Sequence, residues 1–148
     1  MLVILYVFPL SRSSAQNPNL EKLDSYKIGF FTKRLNLTSS EAQKFWPVYN
    51  EYQKQKNVIL QEKMTLIRNF NQNESSLSEN QITDICDKLV ASIVQESTIA
   101  VSFHKKLKEV LPPAKVIRYY QVENQYKIQL LKELQSRQQQ RIPPRGGL

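Results

Sequence analysis

Apolar side chains recur along this chain at steps of three and four residues rather than two, a periodicity that predicts helices. The first helix is expected over residues 20–35, where Leu20, Leu23, Lys27, Phe30 or Phe31, and Arg34 or Leu35 share one face, with Asn19 placed as its cap. Asn36 and Leu37 break the pattern, and Thr38 followed by Glu41 forms a capping box that opens a second helix over 39–70. Its stripe is Ala42, Phe45, Tyr49, Tyr52, Ile59, Leu60, Leu66, Ile67 and Phe70, interrupted by Lys56 and Lys63. Pro47 lies two turns in, where its ring opposes the carbonyl of Gln43, so this helix is expected to bend there without ending.

A polar loop is expected at 71–77, and Ser78 with Gln81 makes a second capping box. The third helix, 79–110, carries Ile82, Cys86, Leu89, Ile93, Ala100, Phe103, Leu107 and Val110 near heptad spacing. Pro112 and Pro113 stop it, and proline is welcome in a first helical turn, so the same pair starts a fourth helix over 113–139. The fourth stripe is Val116, Tyr119, Tyr120, Glu123, Tyr126, Leu130 and Leu134. Nothing longer than a few residues alternates with period two between turn signals. The fold class is therefore all-α, with four helices and the two long central ones forming a hairpin. The 64 residues from Val48 to Leu111 contain neither proline nor glycine, which is what allows helices of that length.

The ends read differently. Residues 1–10 are an apolar run too short to span a bilayer as a helix. Small residues at Ser13 and Ala15 follow it, so 1–15 reads as a signal peptide cut between Ala15 and Gln16. No Lys or Arg precedes the run, which places the expected start of translation further upstream. Residues 138–148 combine glutamines with Pro143, Pro144, Gly146 and Gly147 and read as a disordered tail, leaving 16–137 as the helical domain.

Composition narrows the chemistry. Leu, Ile, Val and Phe make up 44 of 148 residues, enough to build a core. The three glycines are Gly29, Gly146 and Gly147, so no Gly-rich loop can cradle a phosphate. One His and one Cys supply neither a zinc site nor a catalytic triad, so the chain is not expected to be an enzyme or to carry a metal or cofactor. The formal charge is +8, and losing residues 1–15 removes only Arg12, leaving 20 basic against 13 acidic residues and a net +7. Basic residues gather near helix ends (Lys33, Arg34, Arg68, Lys105, Lys106, Lys108) and acids near helix starts, the arrangement the helix dipole favours by about 0.3 to 1 kcal/mol each. The excess itself suits acidic polypeptides, anionic headgroups or nucleic acid. Nucleic acid is not expected, because there is no base-stacking motif, zinc finger or short recognition helix.

Individual residues sharpen this. Cys86 is expected to be a small buried hydrophobe, and His104 a solvated residue beside its lysines. Phe45, Trp46, Tyr49 and Tyr52 crowd two turns, more than one stripe can hide. Trp46 and Val48 therefore pack against the first helix through Phe30 and Phe31, or form an apolar patch for another subunit or an unfolded client. Glu123 falls within an apolar stripe and needs a cation, with Lys33 or Arg34 the expected partner.

The segment Lys27-Ile28-Gly29-Phe30-Phe31-Thr32-Lys33-Arg34, continuing through Leu37-Thr38-Ser39-Ser40-Glu41 to Phe45-Trp46-Pro47-Val48-Tyr49, resembles the Spy/CpxP-related periplasmic helical proteins. It is most similar to the branch labelled as sensors of extracytoplasmic-function sigma factors. The family's Leu-Thr-x-x-Gln signature stands here as Leu37-Thr38-Ser39-Ser40-Glu41 and as Leu111-Pro112-Pro113-Ala114-Lys115, with neither copy intact. The resemblance implies a periplasmic protein, a cradle-shaped antiparallel homodimer, and ATP-independent holding of unfolded or acidic polypeptides in envelope stress. The alternative it implies is a regulatory adaptor for a membrane-anchored signalling partner in a sigma-factor pathway. The client- or partner-binding residues expected, from the basic and aromatic surface read above, are Lys33, Arg34, Phe45, Trp46, Tyr49 and Tyr52. The metal-responsive relatives use His, Met and acid clusters, whereas His104 and Met64 stand alone beyond residue 15, so metal sensing is not expected.

Overall fold

The computed structural model describes residues 18–141, and the expected signal segment lies outside them. Four helices follow one another: α1 (Pro18–Leu35), α2 (Ser39–Asn73), α3 (Glu79–Val110) and α4 (Pro113–Arg141). No strand occurs among the described residues, and the fold is all-α.

Each boundary has a local cause. α1 is already helical at Pro18, where the described residues begin, so Asn19 lies inside the helix instead of capping it. α1 ends in a Schellman turn: the Asn36 N–H donates to the Lys33 carbonyl (3.2 Å) and the Leu37 N–H to that of Thr32 (3.1 Å). Asn36 supplies the left-handed backbone this needs (φ 48°), a conformation asparagine tolerates better than most residues. The capping box of α2 forms as expected, with the Thr38 N–H donating to Glu41 Oε2 (2.8 Å) and the Glu41 N–H to Thr38 Oγ1 (3.2 Å). α2 then runs on past Pro47.

The polar loop expected from Asn71 is shorter than its composition suggested. α2 continues to Asn73, whose side-chain amide donates back to the Asn69 carbonyl (3.0 Å), and a single 3₁₀ turn (Glu74–Ser76) follows. The box at Ser78 and Gln81 opens α3, with the Ser78 N–H on Gln81 Oε1 (2.9 Å) and the Gln81 N–H on Ser78 Oγ (3.4 Å). α4 continues to Arg141, so the first residues of the expected tail are helical, and 142–148 lie outside the described residues.

α2 and α3 form the expected hairpin, while α1 packs on α4. The hydrophobic core sits at one end, where all four helices meet. Phe31 and Leu35 from α1, Phe45 and Tyr49 from α2, Phe103 and Leu107 from α3, Leu111, and Val116, Tyr119 and Val122 from α4 are all buried there. Beyond this base the hairpin continues as a two-helix arm whose interior holds Ile59, Ile85 and Ser92. Ser92 is polar but satisfied, its hydroxyl donating to the Leu89 carbonyl (2.6 Å). Across the arm Lys63 bridges to Glu96 at 3.0 Å.

The phase of α3 differs from the expected stripe. Ile85 and Ser92 face α2, while Cys86 and Ile93 are exposed. Apolar residues surround α3 on nearly every side between Cys86 and Val101, so period alone did not select the inner face. The same reason leaves Leu60 and Ile67 of α2 exposed, and Tyr120 and Leu134 of α4, while Val122 is buried in their place.

Candidate binding surface

The aromatic run of α2 is chiefly core. Phe45 and Tyr49 are buried, and Trp46 is partly buried with its ring edge-on to Phe45 (5.0 Å), Tyr49 (5.5 Å) and Phe31 (6.4 Å). Packing against α1, the first of the two readings of this run, is what the structure adopts for Trp46. Tyr52 is half-buried and stacks flat on Phe103 at 4.2 Å, with the Lys56 ammonium over the Tyr52 ring, 5.3 Å from its centroid. Phe31 lies at the centre, touching Tyr49 (5.3 Å), Tyr126 (5.5 Å) and Tyr119 (6.1 Å) as well. Phe45 and Tyr49 therefore offer no side-chain surface in this chain, and Trp46 and Tyr52 offer part of theirs.

Lys33 and Arg34 are exposed at the end of α1, with the Arg34 guanidinium over Phe30 (5.2 Å) and donating to Gln125 (3.3 Å). Neither pairs with Glu123. That carboxylate, mostly buried, takes Lys127 one turn along α4 (3.3 Å) and Lys56 of α2 (3.8 Å) instead. The reason is direction: Arg34 points toward the flank of α4 that carries Gln125, and Glu123 points toward α2. Burial, together with the Glu123 charge, pushes the Tyr49 and Tyr119 hydroxyls far above their ordinary pKa, so both stay protonated. The Tyr119 hydroxyl is buried without a hydrogen-bond partner.

A tighter ionic contact joins the start of α4 to the α1–α2 connection. Lys115 donates to Glu41 Oε2 (2.6 Å) and to the Asn36 carbonyl (2.5 Å). The bond from Lys115, then that from the Thr38 N–H, hold the Glu41 carboxyl below its usual range. His104 is partly buried and shares a 2.8 Å hydrogen bond with the Tyr120 hydroxyl, in place of the solvated position expected for it. Among the described residues no three His, Cys, Asp or Glu side chains gather where a metal could be held. No described helix is long and apolar enough to cross a membrane.

The surface that the sequence reading missed lies on the arm. Leu60 and Ile67 follow Lys56, which faces α4, by four and eleven residues, so they stand on the same side of α2, with Met64 beside them. Ile93 precedes His104, which bonds to α4, by eleven residues and stands on the matching side of α3. These four apolar side chains continue the side that α1 and α4 cover at the base, and they are between 46% and 55% exposed. The opposite side of the arm is a groove lined by Gln61, Glu62, Thr65, Leu66, Lys88, Ala91, Ser92 and Gln95. Sequence periodicity had assigned Leu60, Ile67 and Ile93 to the core. The signal that could have separated them was the thinness of a two-helix arm, which cannot enclose three apolar faces at once. Comparison of the chain with family models, curated proteins and solved structures returns no match.

Proposed function

We propose that this protein is a periplasmic envelope-stress protein that holds unfolded or acidic polypeptides without ATP. The observation that carries this reading is the uncovered apolar side of the hairpin arm, formed by Leu60, Met64, Ile67 and Ile93. A contiguous apolar patch of this kind is costly to leave in water and suits a partner that brings exposed apolar side chains of its own. The net positive charge supports long-range capture of acidic segments before that contact is made. The expected signal segment and the Spy/CpxP resemblance support the compartment and the role.

The test is aggregation of a chemically denatured protein with and without this chain, at low and high salt, beside a Leu60→Ser/Ile67→Ser/Ile93→Ser variant. All three residues are about half exposed, so the variant keeps its helical circular dichroism. Suppression that weakens with salt and is lost in the variant supports the proposal. No suppression by the folded parent sinks it and moves the weight to a regulatory adaptor with one dedicated signalling partner.

A further inference from the structure

Two pairs of helices share the aromatic base and separate beyond it: α2 with α3 as the arm, and α1 packed on α4. Among the described residues the outermost polar contacts between the pairs are Glu123 of α4 with Lys56 of α2 (3.8 Å) and Tyr120 of α4 with His104 of α3 (2.8 Å). From Lys127 onward the described side chains of α4 are exposed apart from Leu130, which is half-buried; Leu131 is 59% exposed and Leu134 51%.

These leucines stand on the side of α4 that looks at the arm. Leu130 and Leu134 follow Glu123 by seven and eleven residues, and Leu131 follows Tyr120 by eleven, so all three continue the side that meets α2 and α3 at the base. The heights match as well. α2 and α4 run in the same direction, from Tyr49 beside Tyr119 to Lys56 beside Glu123. Ile67 lies eleven residues beyond Lys56, as Leu134 does beyond Glu123, so both stand about 16 Å from that contact. α3 runs the opposite way, and Ile93 precedes His104 by the same eleven residues by which Leu131 follows Tyr120. The apolar side of the arm thus has a counterpart of like chemistry and equal height on α4, and neither covers the other.

We propose that this is an open state, and that the α1–α4 pair tilts about the aromatic base to lay the leucines of α4 on the apolar side of the arm, shutting that side to other partners. Removing both apolar faces from water drives the closure. α4 has neither proline nor glycine after Pro113, so it moves as a rod with α1 attached. The two contacts at Glu123 and Tyr120 lie at the pivot and persist. Lys127, the cation on the closing side, is already paired with Glu123 (3.3 Å), so closure leaves it with its partner. Closure stands on this geometry alone; its consequence, that a closed molecule cannot hold a client, rests on the holdase reading.

The same register supplies the test. Cys86 is exposed and precedes His104 by eighteen residues, while Gln138 follows Tyr120 by eighteen, five full turns on each helix. Closure brings position 138 against Cys86, whereas position 139 is turned about 100° away. The full chain carrying Gln138→Cys beside its native Cys86 is oxidised with diamide, and the intramolecular disulfide is read by mass and by monomeric mobility without reductant. It should form about tenfold faster than with Gln139→Cys, because the bond needs Cα atoms about 4.4 to 6.8 Å apart and converging side chains. Adding Leu131→Glu/Leu134→Glu should slow it to the rate of that control while helical circular dichroism is unchanged. The oxidised Gln138→Cys chain should lose its suppression of aggregation and regain it on reduction. Equal rates at the two positions, or a rate indifferent to the glutamates, would overturn the closure, and an oxidised chain that suppresses aggregation as well as the reduced one would overturn the occlusion. A parent that never suppresses aggregation sinks the holdase reading instead, and the cross-linking rates still decide the closure.

Discussion

Phe31→Ala tests whether the four helices are held by the aromatic base. The Phe31 ring is wholly buried and its neighbours come from two other helices: Trp46 and Tyr49 of α2, Tyr119 and Tyr126 of α4. Truncating a buried Phe costs about 3 to 5 kcal/mol, with the upper part of that span applying where the surroundings cannot collapse into the gap. Here the wall is made of flat rings already packed against one another, so the cavity persists and about 4 kcal/mol is expected. That is a large share of the ~5 to 15 kcal/mol that stabilises an ordinary domain. The assay is urea denaturation followed by far-UV circular dichroism, with Val90→Ala on the exposed outer side of α3 as control, expected within about 0.5 kcal/mol of the parent. The melting temperature of the Phe31 variant should fall by on the order of 10 to 20 °C. A cost for Phe31→Ala no larger than that of the control would refute the base as the source of stability. A reduced urea slope instead would mean that α1 detaches before the hairpin unfolds.

Two further outcomes follow from the polar groups of the base. Tyr119→Phe removes a buried hydroxyl that has no hydrogen-bond partner and keeps the ring, so it should be neutral or stabilise by up to about 1 kcal/mol; a loss above that in urea titration would show that the hydroxyl is bonded. Glu41 titrates below its usual range because Lys115 and the Thr38 N–H favour its charged form, so its contribution to stability is complete above the ordinary carboxylate pKa and is lost as pH falls through the lowered one. Glu41→Gln keeps a capping side chain but not the charge, and its stability should decline less steeply on acidification than the parent's; parallel curves would contradict the role given to Lys115.

Helix number, order and most boundaries were legible because they rest on short-range chemistry. Thr38 with Glu41 and Ser78 with Gln81 satisfy orphan backbone donors within four residues of themselves, and the Pro112–Pro113 pair acts on its own turn. The misjudged end of α2 has a short-range cause too: the amide of Asn73 carried the helix beyond Asn71. The binding surface was less legible. Phe45 and Tyr49 were singled out for being aromatic and crowded, and crowding of that kind also describes a core.

What the sequence by itself determined is the set of helices and the presence of more apolar faces than one hairpin can bury. Which face goes inward was decided only in three dimensions, since period fixes the spacing of a stripe but not its phase when a helix is apolar on several sides. Ile85 and Ser92 turned toward α2 and left Cys86 and Ile93 outside, because Phe103 and Leu107, buried in the base, fix the rotation of α3 and Ile85 and Ser92 share their face. The partner of Glu123 was settled the same way: charge demanded a cation, and the direction in which α4 presents that carboxylate supplied Lys56 and Lys127 rather than Lys33 or Arg34.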